Sequence, residues 1–388
     1  MNNDIREKIY LAALLHDKGK FYQRADDNGA ARSKELDTSV KKLEDVICTK
    51  SKDGFYTHKH VLWTAQFIED IGIDKKNQSA DSVLRLASYH HNPSTLNEAI
   101  IQLADHLSSG MDRTKAEGQE DEKASKNWDH FKKVRMKSVF DILFKEKQKE
   151  YSYDLPVQSL SFLKELFPQK EFSEIPDYRK LWNEFINEVN LIKTENLKAW
   201  PETFLFLLQK YACNVPSSTM DLPDISLYDH LKTTAAFAVS LYDYCFEKNI
   251  QDISTLKNEN SPFLLIGADI SGIQSYIYDI ISKNAAKNLK GRSFYLQLLT
   301  DSIIQTILKE LNLYQSNVVY NSGGGFYIIA PNTDFVKETF ARVIEEIADR
   351  IFQQHKTALF VAFDYIDLTQ TSIFKQEINE TWKLLNEK

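Results

Sequence analysis

Residues 11–26 read LAALLHDKGKFYQRAD, and this stretch decides how the amino-terminal part of the fold is interpreted. Its apolar residues recur at helical spacing and end at His16 and Asp17, which are followed by a lysine, Gly19 and a second lysine. Imidazole and carboxylate are both metal-ligating groups, so this pair is a candidate for part of a metal site. A single His-Asp pair is often incidental, and its meaning depends on the sequence that follows.

The composition is typical of a folded protein with more than one domain. The chain has 388 residues, more than one hydrophobic core usually accommodates, so two or three domains are expected. Its net charge of −7 gives no general attraction to phosphate backbones, and a nucleic-acid contact must use a local basic patch or metal ions. Three widely spaced cysteines (Cys48, Cys213, Cys245) argue against a disulfide framework and against a thiolate zinc site. With neither a signal-peptide pattern nor a long apolar run, we expect a cytoplasmic protein without a membrane span.

The spacing of apolar residues predicts an α+β chain. From residue 3 to about 107 the spacing is helical, in IREKIYLAALLHD, HVLWTAQFIEDIG and DSVLRLASYHH. Residues 112–135 are strongly charged, which predicts a solvated linker. Helical patterns continue between 155 and 250, and from 262 onward the order β-α-β-β-α-β predicts a ferredoxin-like arrangement. The predicted domains are an all-α domain (1–110), a charged linker with a helical connector (111–257) and a ferredoxin-like palm domain (258–388).

Metal-ligating residues concentrate in the predicted all-α domain, which holds six of the nine histidines. Two divalent ions a few ångströms apart can activate water and neutralise a phosphodiester, so such a set predicts a metal-dependent phosphohydrolase. Lys20 is placed to meet a phosphate oxygen, and Lys18 and Arg24 are further local basic residues that substrate affinity could use. The candidate ligands are His16, Asp17, His58, His60, His90, His91, Asp105 and His106.

The predicted palm contains one acid where its reaction type needs several. In palm polymerases and nucleotide cyclases, the first strand and the hairpin together supply carboxylates for two metals. Here Asp269 lies at the strand end, but the hairpin reads NSGGGFY and has no carboxylate. Its glycines either cradle a nucleotide or form a plain tight turn. The candidate nucleotide-binding residues are Asp269, Ser271, Gly272, Gly323, Gly324 and Gly325.

The succession LLHDKGK, a histidine on the next helix, an HH pair and ADHLSSG resembles the HD phosphohydrolase superfamily. Many members carry a further histidine before the His-Asp pair, and only fifteen residues precede it here, none of them histidine. Either a later histidine substitutes, in a permuted site, or the site has fewer ligands. The number of metal ions, one or two, therefore stays open.

A second resemblance extends over nearly the whole chain. The segments GADISGIQ, NLKGRSFYLQLL, the GGGFY hairpin and SLYDHLKTTAA together resemble the large signature subunit of type III-A CRISPR effector complexes. The resemblance implies that the HD domain is a metal-dependent nuclease for single-stranded DNA, with Mn²⁺, Ni²⁺ or Mg²⁺ as the ion. It assigns the ligand role to His60 rather than His58, because His60 directly precedes VLWTAQFIE as the family's histidine precedes its own run of this type. His58 by itself is interpreted as a surface residue. The implied site is His16, Asp17, His60, His90, His91 and Asp105, with His16, Asp17 and Lys20 as catalytic residues.

The same resemblance implies partners and a second activity. The partners are the subunit that binds the guide RNA 5′ end, the small subunit, the CRISPR guide RNA, target RNA and single-stranded DNA. The family's two palms bind ATP and make cyclic oligoadenylates, with a Gly-Gly-Asp-Asp hairpin on the second palm. This sequence ends before a second palm, so it is expected to be an amino-terminal portion without cyclase activity of its own, although its palm can contribute half of an ATP site.

Two other functions remain open at the level of sequence. The chain could be an HD phosphohydrolase of small nucleotides, which a substrate panel separates from a nuclease. It could also be a non-catalytic scaffold with a degenerate metal site, which metal analysis separates from both. Asp229 and His230, in SLYDH, are interpreted as structural hydrogen-bonding residues rather than ligands.

Overall fold

The computed structural model describes residues 3–387 except 27, 74–78, 113–129, 144–150, 156–166, 173, 193–198, 220–221 and 280–283. The chain divides into two compact units, Met1–Ala238 and Val239–Lys388. The predicted domain boundaries near 110 and 257 do not coincide with this division and stay predictions. Most of the predicted charged linker lies outside the described residues.

The first unit is helical, as predicted. None of the described helices is both long enough and apolar enough to cross a membrane. The helices are α1 (Asn3–Leu15), α2 (Lys18–Ala25), α3 (Thr38–Lys41), α4 (Glu44–Ile47), α5 (His60–Ile71), α6 (Val83–Ser88), α7 (Leu96–Asp112), α8 (Tyr178–Val189), α9 (Trp200–Ala212) and α10 (Leu227–Glu247), which continues past Ala238.

One feature of the first unit departs from the all-α prediction. A two-stranded antiparallel ribbon, β1 (Thr49–Lys50) and β2 (Tyr56–Thr57), precedes α5. Threonine and tyrosine favour extended backbone, and Gly54 takes a left-handed φ of 81° in the connecting turn. Strands of two residues are too short to show a period in the sequence.

Gly19 allows α2 to lie directly against α5. A Cβ at this position would lie 1.9 Å from the His60 carbonyl oxygen, so only glycine fits the contact. The Gly19 backbone N–H donates to Thr64 Oγ1 at 3.0 Å, and the Thr64 hydroxyl donates to the His16 carbonyl at 2.8 Å. These bonds hold the His-Asp turn against the start of α5.

The second unit has the predicted β-α-β-β-α-β order. Its four strands form an antiparallel sheet in the order β4-β5-β3-β6, which is the ferredoxin-like topology. The elements are α11 (Ile253–Asn258), β3 (Phe263–Ser271), α12 (Ile273–Tyr278), α13 (Ala285–Glu310), β4 (Val318–Ser322), β5 (Gly325–Pro331), α14 (Asp334–His355), β6 (Phe360–Leu368), α15 (Gln370–Phe374) and α16 (Ile378–Asn386).

The core of the second unit follows the two-residue period of its central strand. Leu264, Ile266 and Ile270 of β3 belong to a buried cluster with residues of α13 and α14, such as Ile307 and Phe340. Asp269 is out of phase with these residues and is exposed, opposite Gly325 of β5 in the antiparallel register. The strand pattern therefore places this carboxylate beside the glycine hairpin.

Candidate metal centre

Two groups of ligand-type side chains meet at Asp17 in the first unit. Within each group, the candidate ligand atoms lie within 4.8 Å of one another. The first group is Asp17, His60, His90 and His91, and the second is His16, Asp17, Asp105 and His230. The structure thus brings together all six ligands implied by the sequence and adds His230.

The carboxylate of Asp17 presents one oxygen to each group. Oδ1 lies 2.8 Å from His60 Nε2 and 3.9 Å from His90 Nε2. Oδ2 lies 3.6 Å from His16 Nε2 and 3.3 Å from His230 Nε2. A carboxylate in this position is suited to bridge two cations.

Separate elements supply the other ligands. His60 opens α5, the pair His90 and His91 follows α6, and Asp105 lies on α7. His91 Nε2 lies 3.2 Å from His60 Nε2, and Asp105 Oδ1 lies 3.2 Å from His230 Nε2. Because the ligands come from different helices, their convergence is a property of the packed unit.

Outer contacts orient the imidazoles. His16 Nδ1 lies 2.8 Å from the Ala13 carbonyl, and His90 Nδ1 lies 2.7 Å from the Ala87 carbonyl. A carbonyl can only accept, so each Nδ1 carries its proton and each Nε2 presents a lone pair to the cluster. His90 Nε2 is buried and has no hydrogen-bond partner among the described residues. A buried nitrogen without a partner is unfavourable unless a cation completes it, so the residues fit a divalent metal.

Burial sets the protonation of the cluster. It lowers the pKa of His90 to about 3 and also lowers the pKa of His60 and His91. Burial by itself would raise the pKa of Asp17, but the Lys20 ammonium and the adjacent imidazoles hold that pKa well below its usual range. At neutral pH the imidazoles of His60, His90 and His91 are therefore neutral and the Asp17 carboxylate is ionised, which is the state that binds a divalent cation.

The three basic residues near the His-Asp pair have different environments. Lys20 is partly exposed, and its ammonium lies 2.5 Å from Asp17 Oδ2. Lys18 is fully buried, with its ammonium 3.7 Å from the centroid of the Phe185 ring, and Arg24 is buried beside Tyr178. The expectation that Lys18 and Arg24 contribute to substrate affinity is therefore wrong, because α8 covers both side chains.

His230 lies in the cluster, whereas the sequence interpretation made it structural. Its Nδ1 lies 3.1 Å from Ser108 Oγ on α7, and its Nε2 points at Asp17 and Asp105. The signal was present in the sequence: the missing histidine before His16 left a permuted site open, and His230 is a later histidine on a helix. Asp229 accepts a hydrogen bond from the Ser226 hydroxyl at the start of α10, as a structural residue does.

The candidate nucleotide-binding residues are only partly brought together. A groove of about 580 Å³ contains Asp269, Gly323 and Gly325, whereas Ser271, Gly272 and Gly324 do not line it. Gly272 instead packs against the backbone at Ala358, because a Cβ built on Gly272 would lie 2.2 Å from the Ala358 carbonyl oxygen. The sequence did not indicate the aromatic and amide side chains of this groove, which α16 and the sheet supply. The groove is lined by Ala268, Asp269, Tyr320, Ser322, Gly323, Gly325, Tyr327, Trp382 and Asn386.

Comparison with known proteins matches both units. A model of the HD domain matches residues 1–110, and a model of Csm1 subunit domain B matches residues 262–388. A relative from Methanocaldococcus jannaschii, named CRISPR system single-strand-specific deoxyribonuclease Cas10/Csm1 (subtype III-A), is 30% identical over 98% of this chain and 49% of its own length. The chain thus spans about half the length of the curated relatives it matches.

Solved structures agree with this match. The crystal structure of Csm1 in T. onnurineus is 25% identical, with a TM-score of 0.67, over 98% of this chain and 49% of that one. A Csm1–Csm4 cassette in complex with cA4 is also 25% identical, with a TM-score of 0.67, over 98% and 48% of the two chains. With an HD match over its helical part and a Csm1 match over its palm, the chain belongs to the Cas10/Csm1 family of type III-A CRISPR systems.

Proposed function

We propose that the first unit is a divalent-metal-dependent nuclease that cleaves single-stranded DNA, as part of a type III-A CRISPR effector complex. The observation that carries the proposal is the position of Asp17, whose two oxygens face two separate sets of imidazole and carboxylate ligands. The M. jannaschii relative is named a single-strand-specific deoxyribonuclease, which supports the choice of substrate.

A divalent cation bound here supplies activation of water and neutralisation of phosphate charge. The chain's own residues define where this occurs. Asp17 links the two ligand sets, and the neutral imidazoles of His60 and His90 hold their lone pairs toward it. Lys20, partly exposed beside Asp17, provides the positive charge that can contact a phosphate oxygen.

The donor set favours particular ions. Imidazole nitrogen binds transition metals such as Mn²⁺ and Ni²⁺ more readily than Mg²⁺, which prefers oxygen ligands. Three of the four residues in the first group are histidines. We therefore expect Mn²⁺ or Ni²⁺ to support activity better than Mg²⁺.

The proposal is tested on the 388-residue chain with single-stranded DNA and Mn²⁺. The variants His16→Ala and Asp17→Ala are expected to abolish cleavage while retaining the helical circular dichroism signal. Asp269→Asn is the matched control, because it neutralises an exposed carboxylate in the second unit. Undiminished cleavage by the first two variants would refute the assignment.

The same assay separates the alternative functions. Cleavage of nucleoside phosphates in place of DNA would indicate a small-nucleotide phosphohydrolase. A chain that purifies without metal and binds none on titration would indicate a scaffold. The scaffold outcome is not expected, because the buried His90 Nε2 has no protein hydrogen-bond partner among the described residues.

For the second unit, we propose that the groove beside Asp269 binds an adenine nucleotide such as ATP as one half of a shared site. The groove combines a carboxylate, hairpin glycines and aromatic rings, and Tyr327 and Trp382 lie 4.9 Å apart by ring centroids. The likeness to a Csm1–Csm4 cassette in complex with cA4 supports an adenylate ligand. Titration of ATP into the chain, with Trp382 fluorescence as the signal, tests this, and an unchanged signal together with no binding by calorimetry would oppose it.

We also propose the assembly in which these activities occur. The partners are a Csm4-type subunit that binds the guide RNA 5′ end, the small subunit, guide RNA and target RNA, in the cytoplasm. The solved relative in a Csm1–Csm4 cassette supports the first of these partners. Co-purification of the chain with a co-expressed Csm4-type subunit tests it.

A further inference from the structure

His58 lies at the solvent-facing edge of the metal-ligand cluster. It follows β2 and precedes the first turn of α5, and its side chain is exposed. Its ring centroid lies 4.2 Å from that of His91 and 6.1 Å from that of His60. His58 belongs to neither group of candidate ligands, so the metal site does not account for it.

The β1–β2 ribbon holds this side chain in one position. His58 Nδ1 lies 2.6 Å from the Thr49 hydroxyl on β1 and 3.1 Å from the Thr57 hydroxyl on β2. The backbone of His58 is left-handed, with φ of 54°, and its carbonyl accepts the Val61 N–H at 3.3 Å. A side chain other than glycine adopts this backbone only where its surroundings maintain it, and such residues cluster at functional sites.

These contacts leave one polar atom of the ring for a ligand. The threonine hydroxyls contact Nδ1, and the ring packs against His91. When Thr49 donates its proton to Nδ1, the ring proton lies on Nε2, which can donate to a phosphate oxygen. The ammonium groups of the two neighbouring lysines are engaged by acidic partners: Lys50 lies 3.2 Å from Asp45, and Lys59 lies 2.8 Å from Glu44. The neutral His58 ring therefore supplies the hydrogen-bond donor at this position.

We propose that His58 is a substrate-binding residue that donates a hydrogen bond from Nε2 to a backbone phosphate of single-stranded DNA next to the scissile phosphate. This inference rests on the proposed nuclease function and assigns a role to a residue that ligates no metal. Thr49 and Thr57 act through His58 as positioning residues.

The test compares three variants of the 388-residue chain with a control. His58→Phe keeps a ring but removes the donor, His58→Gln restores an N–H donor, and Thr49→Val removes the hydroxyl at 2.6 Å from Nδ1. Asp53→Ala is the control, because Asp53 is exposed in the turn of the same ribbon. The measurements are kcat and KM for Mn²⁺-dependent cleavage, metal content, melting temperature, and affinity for a fluorescent single-stranded oligonucleotide in EDTA by anisotropy.

Loss of one hydrogen bond to a charged phosphate should weaken binding about tenfold. We therefore expect His58→Phe to raise KM and the oligonucleotide Kd about tenfold, with kcat, metal content and melting temperature unchanged. His58→Gln should recover part of the affinity, Thr49→Val should lose part of it, and Asp53→Ala should match the parent.

Unchanged KM and Kd in His58→Phe overturn the inference, and so does loss of bound metal in that variant, which would make His58 a ligand. If His58→Phe binds the oligonucleotide as tightly as the parent and His58→Gln binds it more weakly, stacking of the ring on a base explains the affinity. That result also overturns the inference. If the parent binds the oligonucleotide but does not cleave it, the nuclease proposal fails while the anisotropy series still decides the role of His58. A parent that neither binds the oligonucleotide nor cleaves it with Mn²⁺ overturns both.

Discussion

The two candidate sites of this chain are built in opposite ways. In the first unit, candidate ligands from the α1–α2 turn, from the segment after α6, and from α5, α7 and α10 converge in a buried cluster around Asp17, which is 1% exposed. In the second unit, Asp269 is an exposed carboxylate on a strand, next to a hairpin of glycines. A buried polar cluster has to be completed by its own members or a cation, whereas an exposed groove is completed by water or by a ligand.

Glycine also has a different role in each site. Gly19 is required by packing, since the His60 carbonyl occupies the space of a Cβ. Gly323 is required by the backbone, since its φ is 65° and no atom lies within 4 Å of where its Cβ would be. The first glycine joins two helices, and the second shapes a turn. The first site is therefore the more sensitive of the two to substitution.

The largest expected effect is that of Asp17→Asn. This change removes the one carboxylate shared by both ligand groups, so binding of Mn²⁺ should be lost from both. Cleavage of single-stranded DNA should fall about 10³-fold, the equivalent of the several kcal/mol that a bound metal supplies. Calorimetric titration with Mn²⁺ and a steady-state assay measure these losses. Retention of full metal stoichiometry would show that metal binding does not depend on Asp17, the residue common to both ligand groups.

Next in size is the effect of Gly19→Ala on stability. The new methyl group would overlap the His60 carbonyl and force α2 away from α5, at a cost of about 3 kcal/mol. For a unit of this size, that cost lowers the melting temperature by roughly 6–12 °C. Gly29→Ala is the matched control, because a Cβ there meets nothing within 4 Å. Equal melting temperatures for both variants would show that the close approach is not required.

A smaller effect is expected for His230→Ala. It removes one ligand from the second group only, so the first group should keep its Mn²⁺. We expect activity to fall by about 10–100-fold, as it does when a supporting residue of a metal site is removed. Asp229→Asn, a change in the adjacent residue that accepts the Ser226 hydroxyl, should bind Mn²⁺ like the parent. If His230→Ala binds and cleaves like the parent, His230 is structural after all.

The smallest effect for a single residue is the slope that each buried histidine adds to the pH dependence of stability in EDTA. His60, His90 and His91 have lowered pKa values in the folded chain, so the unfolded chain binds more protons below its own histidine pKa of about 6.5. Their contribution to stability is therefore complete above that pH and decreases as the pH falls toward about 3, the folded pKa of His90. Each histidine should add a slope of up to about 1.4 kcal/mol per pH unit in this window. Urea unfolding at pH 7, 6 and 5 measures it, and His90→Phe should reduce the slope.

Much of the fold could be predicted from sequence because its signals are local. The helical spacing around residues 5–17 and the short apolar run PFLLIGADI can each be recognised from neighbouring residues alone. The β1–β2 ribbon escaped prediction because strands of two residues show no period. The six candidate ligands came from motif resemblance. The structure groups them around Asp17, and their binding of a metal stays a proposal that metal titration can test.

The sequence by itself determined the elements, the ferredoxin-like order of the second unit and the concentration of ligand-type residues in the first. Only the tertiary structure decided which side chains meet. It brought His230 to Asp17 across more than two hundred residues, buried Lys18 beneath α8 and aimed His58 at the edge of the cluster. The physical reason is that element type follows from short-range periodicity, whereas the convergence of polar side chains depends on helix packing that no local pattern encodes.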